Sequence, residues 1–394
     1  MSRRTILLAT LAMALLIALS ACEAPKQVNS QPSPTAPPAT ATISLPIGWY
    51  SAPTPDGRFF ADTSGFRGLV TSSANPSEIA GCGLLPLGGD QKSTPEFLTS
   101  MDAGRHWQTH AITGASATTF CVIVADTILP RTFVLQTGVN STNQLLVTRD
   151  NGATWQPLTI SHGYTVDLYG MPGYDMPALV NGHLITYFIL DEQTNDFRLY
   201  DLTLGGEFTP LDAHMPRPPK VSGLPDITPP EAFAVDPTDP SHLYALEYGA
   251  FGPNHNTGFT LYTTRNGGDS WRFLREWPTA IHLSLWVSPD KRVYALDGQD
   301  SSTGLYSSAD GATWWFTSLN DGYLALSPSG FVVLFSGQKI LAFDPRSNHQ
   351  RQLGTVPPDL ASEWTCAVVL DQPSPTLLLA GIQGVFAFPL KTVS

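Results

Sequence analysis

Short apolar runs alternate with turn residues from Leu45 to Ser394, and no long stretch keeps the three-to-four-residue apolar spacing of an amphipathic helix. Runs such as Leu145-Leu146-Val147, Phe259 to Tyr262 and Leu305-Tyr306 have the length and residue types of strands. The pattern predicts an all-β chain of short antiparallel strands. Each of these runs leads into a related turn. Thr148 to Trp155 reads Thr-Arg-Asp-Asn-Gly-Ala-Thr-Trp and Thr264 to Trp271 reads Thr-Arg-Asn-Gly-Gly-Asp-Ser-Trp. Ser307 to Trp314 reads Ser-Ser-Ala-Asp-Gly-Ala-Thr-Trp, with its acid one place late, and Ser100 to Trp107 reads Ser-Met-Asp-Ala-Gly-Arg-His-Trp.

A carboxylate at the third position of such a turn accepts bonds from backbone N–H groups within it. The glycine supplies a positive φ without steric cost, and the tryptophan opens the next strand with a large apolar area to bury. Asp102, Gly104 and Trp107 therefore read as structural, as do Asp150, Gly152 and Trp155. Asn266, Gly268 and Trp271 repeat the set, because an asparagine makes the same bonds. Gly311 and Trp314 belong to a copy that reads as degraded, since Ala309 cannot accept them.

These turns resemble the Asp box, or BNR repeat, of sialidases and other β-propellers, and the resemblance implies a single propeller of four-stranded antiparallel blades. The interval from Trp107 to Trp155 is 48 residues, from Trp155 to Trp271 116, and from Trp271 to Trp314 43. The middle interval holds two periods, so Leu199 to Phe208 is expected to be a degenerate copy in a hidden blade. Tyr323 to Val356 reads as a blade without the turn, and three strands follow Trp364: Thr365 to Leu370, Thr376 to Ala380 and Gly384 to Leu390. Leu45 to Ala52 is a strand-like stretch with no blade of its own, and is expected to complete the last one and close the ring. The count is seven blades, or six if one has been split; a folded stretch of about 350 residues suits blades of roughly 40–50. Closure removes the two sheet edges that an open ring would leave.

Ahead of this lies a different kind of sequence. Residues 1–21 carry Arg3 and Arg4, then an apolar run from Ile6 to Leu19, and Leu19-Ser20-Ala21 leads into Cys22. The run is too short for a spanning helix and reads as an export signal. With its lipobox it resembles the signals of bacterial lipoproteins, which implies a lipid on Cys22 and a chain held at the outer face of the cell membrane. Ser2 to Leu7 also resembles a twin-arginine signal, so the general and twin-arginine routes both stand. Residues 22–43, rich in Pro, Thr and Ala, are expected to be a disordered tether, with the propeller domain spanning 44–394.

Composition narrows the function. The net charge of −12 and a pI of about 5.1 argue against nucleic acid and against contact with a membrane except through the lipid. No zinc-protease, nucleophile-elbow, phosphate-loop or dinucleotide motif is found, and the nine histidines show no ligand-like spacing. No catalytic residue, metal or cofactor is assigned. The sialidase resemblance asks for three arginines around a carboxylate, a Tyr–Glu nucleophile and an acidic acid/base. Phe66-Arg67-Gly68-Leu69 lacks the Ile and Pro of that family's arginine motif. Arg149 and Arg265 sit in the repeated turns, while Arg131, Arg198, Arg217, Arg292 and Arg346 share no blade position. The chain is closer to the non-catalytic sortilin-type and photosystem-assembly-type propellers.

Three stretches longer than turns require fall in the third and fourth blades, on the face expected to lie opposite the repeated turns. Gly163 to Pro177 holds Tyr169, Tyr174 and Asp175; His214 to Pro230 holds Arg217; Glu247 to Gly258 holds Glu247, Tyr248 and His255. Aromatics beside a few polar groups are typical of binding surfaces. The sequence reads as a surface-anchored, monomeric binding or scaffold module for a protein or glycan. The alternative is an exo-sialidase-like glycoside hydrolase using the central channel. Cys82 and Cys121 form a candidate disulfide between adjacent blades, leaving Cys366 as a lone thiol, with Cys82–Cys366 open as another pairing.

Overall fold

Each turn-bounded group of apolar runs becomes one antiparallel sheet. The computed structural model describes residues 48–55, 68–85, 93–118, 120–139, 142–159, 165–166, 177–191, 196–216, 230–251, 256–277, 283–297, 304–319, 322–360, 364–381 and 384–390. Among them are seven sheets whose strands pair in up-and-down order.

Blade 1 comprises Leu69–Ser72, Asn75–Gly83, Glu96–Ser100 and Gln108–Ala111; blade 2 comprises Phe120–Ala125, Phe133–Val139, Thr142–Thr148 and Gln156–Pro157. In blade 3 both Thr165–Val166 and Ala178–Val180 pair with His183–Asp191, so two short segments share the place of the first strand; Asp196–Thr203 and Phe208–Pro210 follow. Blade 4 holds Ala232–Asp236, Asp239–Phe251, Asn256–Thr264 and Arg272–Trp277, and blade 5 Leu283–Val287, Val293–Asp297, Gly304–Ser308 and Trp315–Ser318. Blade 6 holds Gly322–Leu326, Val332–Ser336, Lys339–Asp344 and His349–Thr355. The last sheet takes Trp364–Leu370, Thr376–Gly381 and Gly384–Pro389 from the end of the chain and Tyr50–Ser51 from its beginning.

First strands touch between blades 1 and 2, 2 and 3, 4 and 5, 6 and 7, and 7 and 1, which places them toward the centre, and shared cores join blades 3 to 4 and 5 to 6 into a closed ring. The fold is a seven-bladed β-propeller. Closure rests on more than the two paired residues: the Trp49 indole donates to Thr355 O of blade 6 (3.1 Å) and stacks near Phe388 (5.1 Å). The Tyr50 hydroxyl donates to Ala103 O of blade 1 (3.0 Å), under the Arg105 guanidinium. One short segment thereby touches blades 6, 7 and 1.

Apolar alternation explains the rest of the core. Each sheet buries both faces against its neighbours, so inward positions are aliphatic or aromatic on both sides. Between blades 1 and 2 lie Phe97, Ile123, Leu135, Leu146 and Trp155; between blades 4 and 5, Leu246, Leu261, Trp277 and Val293. Burying each such side chain stabilises the fold by about 1.5–3 kcal/mol. Cys82 of blade 1 and Cys121 of blade 2 are joined as a disulfide across their junction, with Cα atoms 6.0 Å apart, and Cys366 is a buried free thiol.

Two local readings differ from the sequence expectation. The turn of blade 5 is not degraded but one residue shorter, and it begins at Ser308. The Ser308 hydroxyl takes the Gly311 N–H (2.9 Å), and Asp310 accepts from the N–H groups of Ala312 (2.8 Å) and Thr313 (2.7 Å). Ala309 never needed to accept a bond. In addition, Glu247 and Tyr248 are not in a loop: the second strand of blade 4 runs on to Phe251, pairing with Asn256–Thr260.

Candidate functional site

Antiparallel order puts the turn after each first strand and the turn after each third strand at one end of the ring. The repeated turns follow third strands, so they and the first turns define one face, and the second turns and blade-to-blade crossings define the other.

On the first face the repeated turns are closed hydrogen-bond systems. Asp150 accepts from the N–H (2.8 Å) and hydroxyl (2.6 Å) of Thr154 and from the Thr148 hydroxyl (2.8 Å), while Gly152 N–H donates to Thr148 Oγ1 (2.9 Å). The Thr154 bonds are the main reason that the Asp150 carboxyl lies below the usual range. Asp102 does the same with His106, whereas Asn266 accepts from the Ser270 N–H and donates its amide to the Ser270 hydroxyl. Asp310 is held down to about 2, chiefly by the Thr313 and Ala312 N–H groups. Each glycine also abuts the preceding blade: a Cβ on Gly104 would meet Ala52, on Gly152 Phe97, on Gly268 Leu211 and on Gly311 Leu274. Trp155 is buried, and Trp107, Trp271 and Trp314 pack half-buried against the clusters between blades. These residues hold blades together.

The first turns carry a second repeat. Asp236-Pro237, Ser288-Pro289 and Ser327-Pro328 each close a first strand with a polar residue and a proline. Acids of the first turns clasp adjacent blades. Asp126 of blade 2, fully buried, accepts from Ile128 and Leu129 in its own turn and from Asn181 and Gly182 of blade 3. Asp236 of blade 4 lies 3.1 Å from His242 Nδ1 and 3.4 Å from Lys291 Nζ of blade 5. Burial opposes its ionisation, but the His242 and Thr238 bonds and the Lys291 charge outweigh this and hold it well below the ordinary value. Asp371 of blade 7 accepts from Ser329 of blade 6 (both 2.7 Å).

Thr127 links this ring across its centre. Its carbonyl accepts from Ser73 of blade 1 (2.6 Å), its N–H donates to Leu179 O of blade 3 (3.0 Å), and its hydroxyl donates to Pro237 O of blade 4 (2.6 Å). Blades 1 and 4 stand three places apart in a ring of seven, close to opposite. The blade 2 turn thus spans the channel mouth on this face.

On the second face, blades 3 and 4 bring ionisable groups to their junction. Within blade 3, Arg198 lies 4.0 Å from buried Asp212, while at the junction with blade 4 the Tyr187 hydroxyl donates to Pro230 O (2.8 Å). Glu247 is buried in the same junction, while Tyr248 points to the other side of its strand, 37% exposed and 5.1 Å from Phe259. Tyr169, Tyr174, Asp175, Arg217 and His255 lie outside the described residues, as does Cys22 with all of 1–47. Arg131, Arg292 and Arg346 fall at first turns or turns after third strands, on the first face, and Arg198 near the second-face end of the third strand of blade 3, so these described arginines do not surround one cavity. Among the described residues no group of three His, Cys, Asp or Glu side chains could hold a metal.

Glu276 and Thr260, which share this junction, had no sequence signal: only strand register brings them to Glu247. Of the first-turn acids, Asp236 did have one, in the polar–Pro pair, whereas Asp126 and Asp371 are not followed by proline.

No protein-family model matches the sequence, nor does any curated protein. Solved structures do. The chain is similar to YCF48 bound to D1 peptide, with a TM-score of 0.51 and 14% identity over 88% of this chain and 97% of that one. YCF48 from Cyanidioschyzon merolae has a TM-score of 0.49 and 14% identity, over 88% and 100%. Catalytically inactive virginiamycin B lyase from Staphylococcus aureus with quinupristin has 0.48 and 9%, over 85% and 98%. At 14% identity the likeness to the peptide-bound YCF48 is one of fold alone.

Proposed function

We propose that this protein is a non-enzymatic binding or scaffold module. It takes a protein or glycan ligand on the face opposite the repeated turns and is held at the outer face of the cell membrane by a lipid on Cys22. The observation that carries the reading is the hydrogen-bonded bridge through Thr127, which spans the channel mouth on the other face. With the acids of the turns there committed to bonds within their own turns or between blades, the second face is left for recognition. A peptide-bound propeller of similar fold supports a protein ligand.

The test is a screen of the protein against displayed peptides and a glycan array, repeated with Tyr248→Ala. Binding that weakens in Tyr248→Ala supports the reading; hydrolysis of a sialoside by the wild type would replace it. Anchoring is tested separately by fatty-acid labelling of cells, which should mark the wild type and spare Cys22→Ala.

A further inference from the structure

Three side chains of blade 4 stand in one cross-strand row. Glu247 of the second strand pairs with Thr260 of the third, and Thr260 pairs with Glu276 of the fourth. Directly paired residues on antiparallel strands project to the same side of a sheet. That side is fixed by the neighbouring row: Ala245 and Tyr262 pair with each other and pack with Tyr187 and Leu199 of blade 3. Adjacent strands lie about 4.8 Å apart, so the two glutamates start roughly 10 Å apart with the threonine between them. Side chains of that length can bring both carboxylates over Thr260.

Two observations mark the row as more than a chance pair of acids. Thr260 is 1% exposed, and its hydroxyl has no hydrogen-bond partner, an unfavourable state that a ligand donor or acceptor would relieve. The Tyr262 phenol is pushed above its ordinary value, first by burial and then by Glu247 and Glu276, so one phenol feels both charges. Glu247 is buried while Glu276, on the outer strand, is exposed, so the row runs from solvent inwards. It lies toward the second face, because Leu246 pairs with Ala232, the residue at which the first strand begins there.

We infer that the row Glu247–Thr260–Glu276 is a subsite for a lysine or arginine side chain of a peptide partner. The cation enters beside Glu276, lies between the carboxylates and donates to Thr260 Oγ1. Ammonium and guanidinium groups carry donors and no acceptor, which matches a row of two carboxylates and a hydroxyl. The chain's net charge of −12 favours the encounter. This deepens the binding-module reading and rests on it.

The experiment is selection of random displayed heptapeptides on the full chain, followed by affinity measurement of the best peptide. Wild type, Glu276→Lys and Thr260→Val are compared, with melting temperatures as a control on folding. Selected peptides should share a Lys or Arg. Charge reversal at exposed Glu276 should weaken binding about tenfold, as should norleucine in place of the peptide's lysine, or citrulline in place of its arginine, and Thr260→Val should weaken it by a smaller factor. Peptides without a basic residue, or affinity unchanged in Glu276→Lys, would overturn the subsite and leave the binding module standing. A selection that returns no peptide, together with an empty glycan array, would overturn both.

Discussion

Gly152 of blade 2 faces the ring of Phe97 in blade 1 so closely that any Cβ added there would overlap it. Its φ of +84° is also one that other residues rarely adopt. The position thus needs glycine for conformation and for the approach of two blades. Gly152→Ala should lose about 2–4 kcal/mol, the sum of left-handed strain and overpacking. Gly337 separates the two causes: it has φ +57° with nothing within 4 Å of a Cβ. Gly337→Ala should cost only about 1–2 kcal/mol. Urea unfolding of both variants checks the contrast, and equal losses would remove the inter-blade argument.

Asp310 makes the bonds that Asp150 makes, in a turn one residue shorter, and Asn266 shows that an amide oxygen serves in the same role. Asp310→Asn should therefore melt closer to wild type than Asp310→Ala. Because folding lowers the Asp310 pKa from 3.8 to about 2, its contribution is present above pH 4 and fades as the pH falls toward 2. An NMR titration of the carboxyl gives the folded value directly, and a midpoint near 4 would contradict the turn geometry.

The Asp236 clasp follows the same sign with deeper burial. Its folded pKa lies well below 3.8, so the charged form stabilises the protein at neutral pH, and that stabilisation declines once the pH drops below about 4. Asp236→Asn keeps an acceptor for the Thr238 N–H but loses the charge facing His242 and Lys291. It should cost about 1–3 kcal/mol at pH 7 and less at pH 3. Unfolding curves at the two pH values test this; a loss that grows on acidification has the wrong sign.

Legibility in the sequence tracked how local each interaction is. Blade order and ring closure could be read because the tryptophan of the repeated turn is a packing requirement renewed in blades 1, 2, 4 and 5 at intervals of one or two blade lengths, and because Trp49 and Tyr50 had no sheet of their own. The blade 5 turn was misread for a physical reason: an eight-residue template fixes the acid's place, whereas the bonds from Ala312 and Thr313 tolerate a shorter turn. Glu247 and Tyr248 looked like loop because Gly249, Gly252 and Pro253 follow closely, and only pairing with Asn256–Thr260 shows the strand continuing. Thr260 and Glu276 sit beside Glu247 through register alone, and Thr127 meets Pro237 across 110 residues. Such contacts have no local signature.

Cys82 and Cys121 tie blades 1 and 2 across 39 residues. Closing a loop of that length in the unfolded chain is worth about 2–4 kcal/mol. Cys82→Ala/Cys121→Ala should lower the melting temperature, and a reducing agent should lower that of the wild type while leaving the double variant unchanged. Cys366 is buried and outside the bond, so a response to reductant in the double variant would point to a different pairing.

The closing segment carries the sharpest structural prediction, because so little of it is paired. Among the described residues of the segment, only Tyr50 and Ser51 are in register with Gly384–Pro389, and Ala52 adds one bond to Val385 O (2.8 Å). The remaining hold is side-chain contact: Trp49 with Thr355 and Phe388, and Tyr50 with Ala103. Trp49→Ala removes the anchor on blade 6 and should cost about 3–5 kcal/mol. A chain lacking residues 1–52 should lose the whole outer strand of blade 7 and expose the edge of Gly384–Pro389, a template for pairing with another copy. Size-exclusion chromatography with light scattering should find the truncated chain associated, and Trp49→Ala monomeric but less stable. A truncated chain that stayed monomeric with an unchanged melting temperature would show that the ring closes without its first strand.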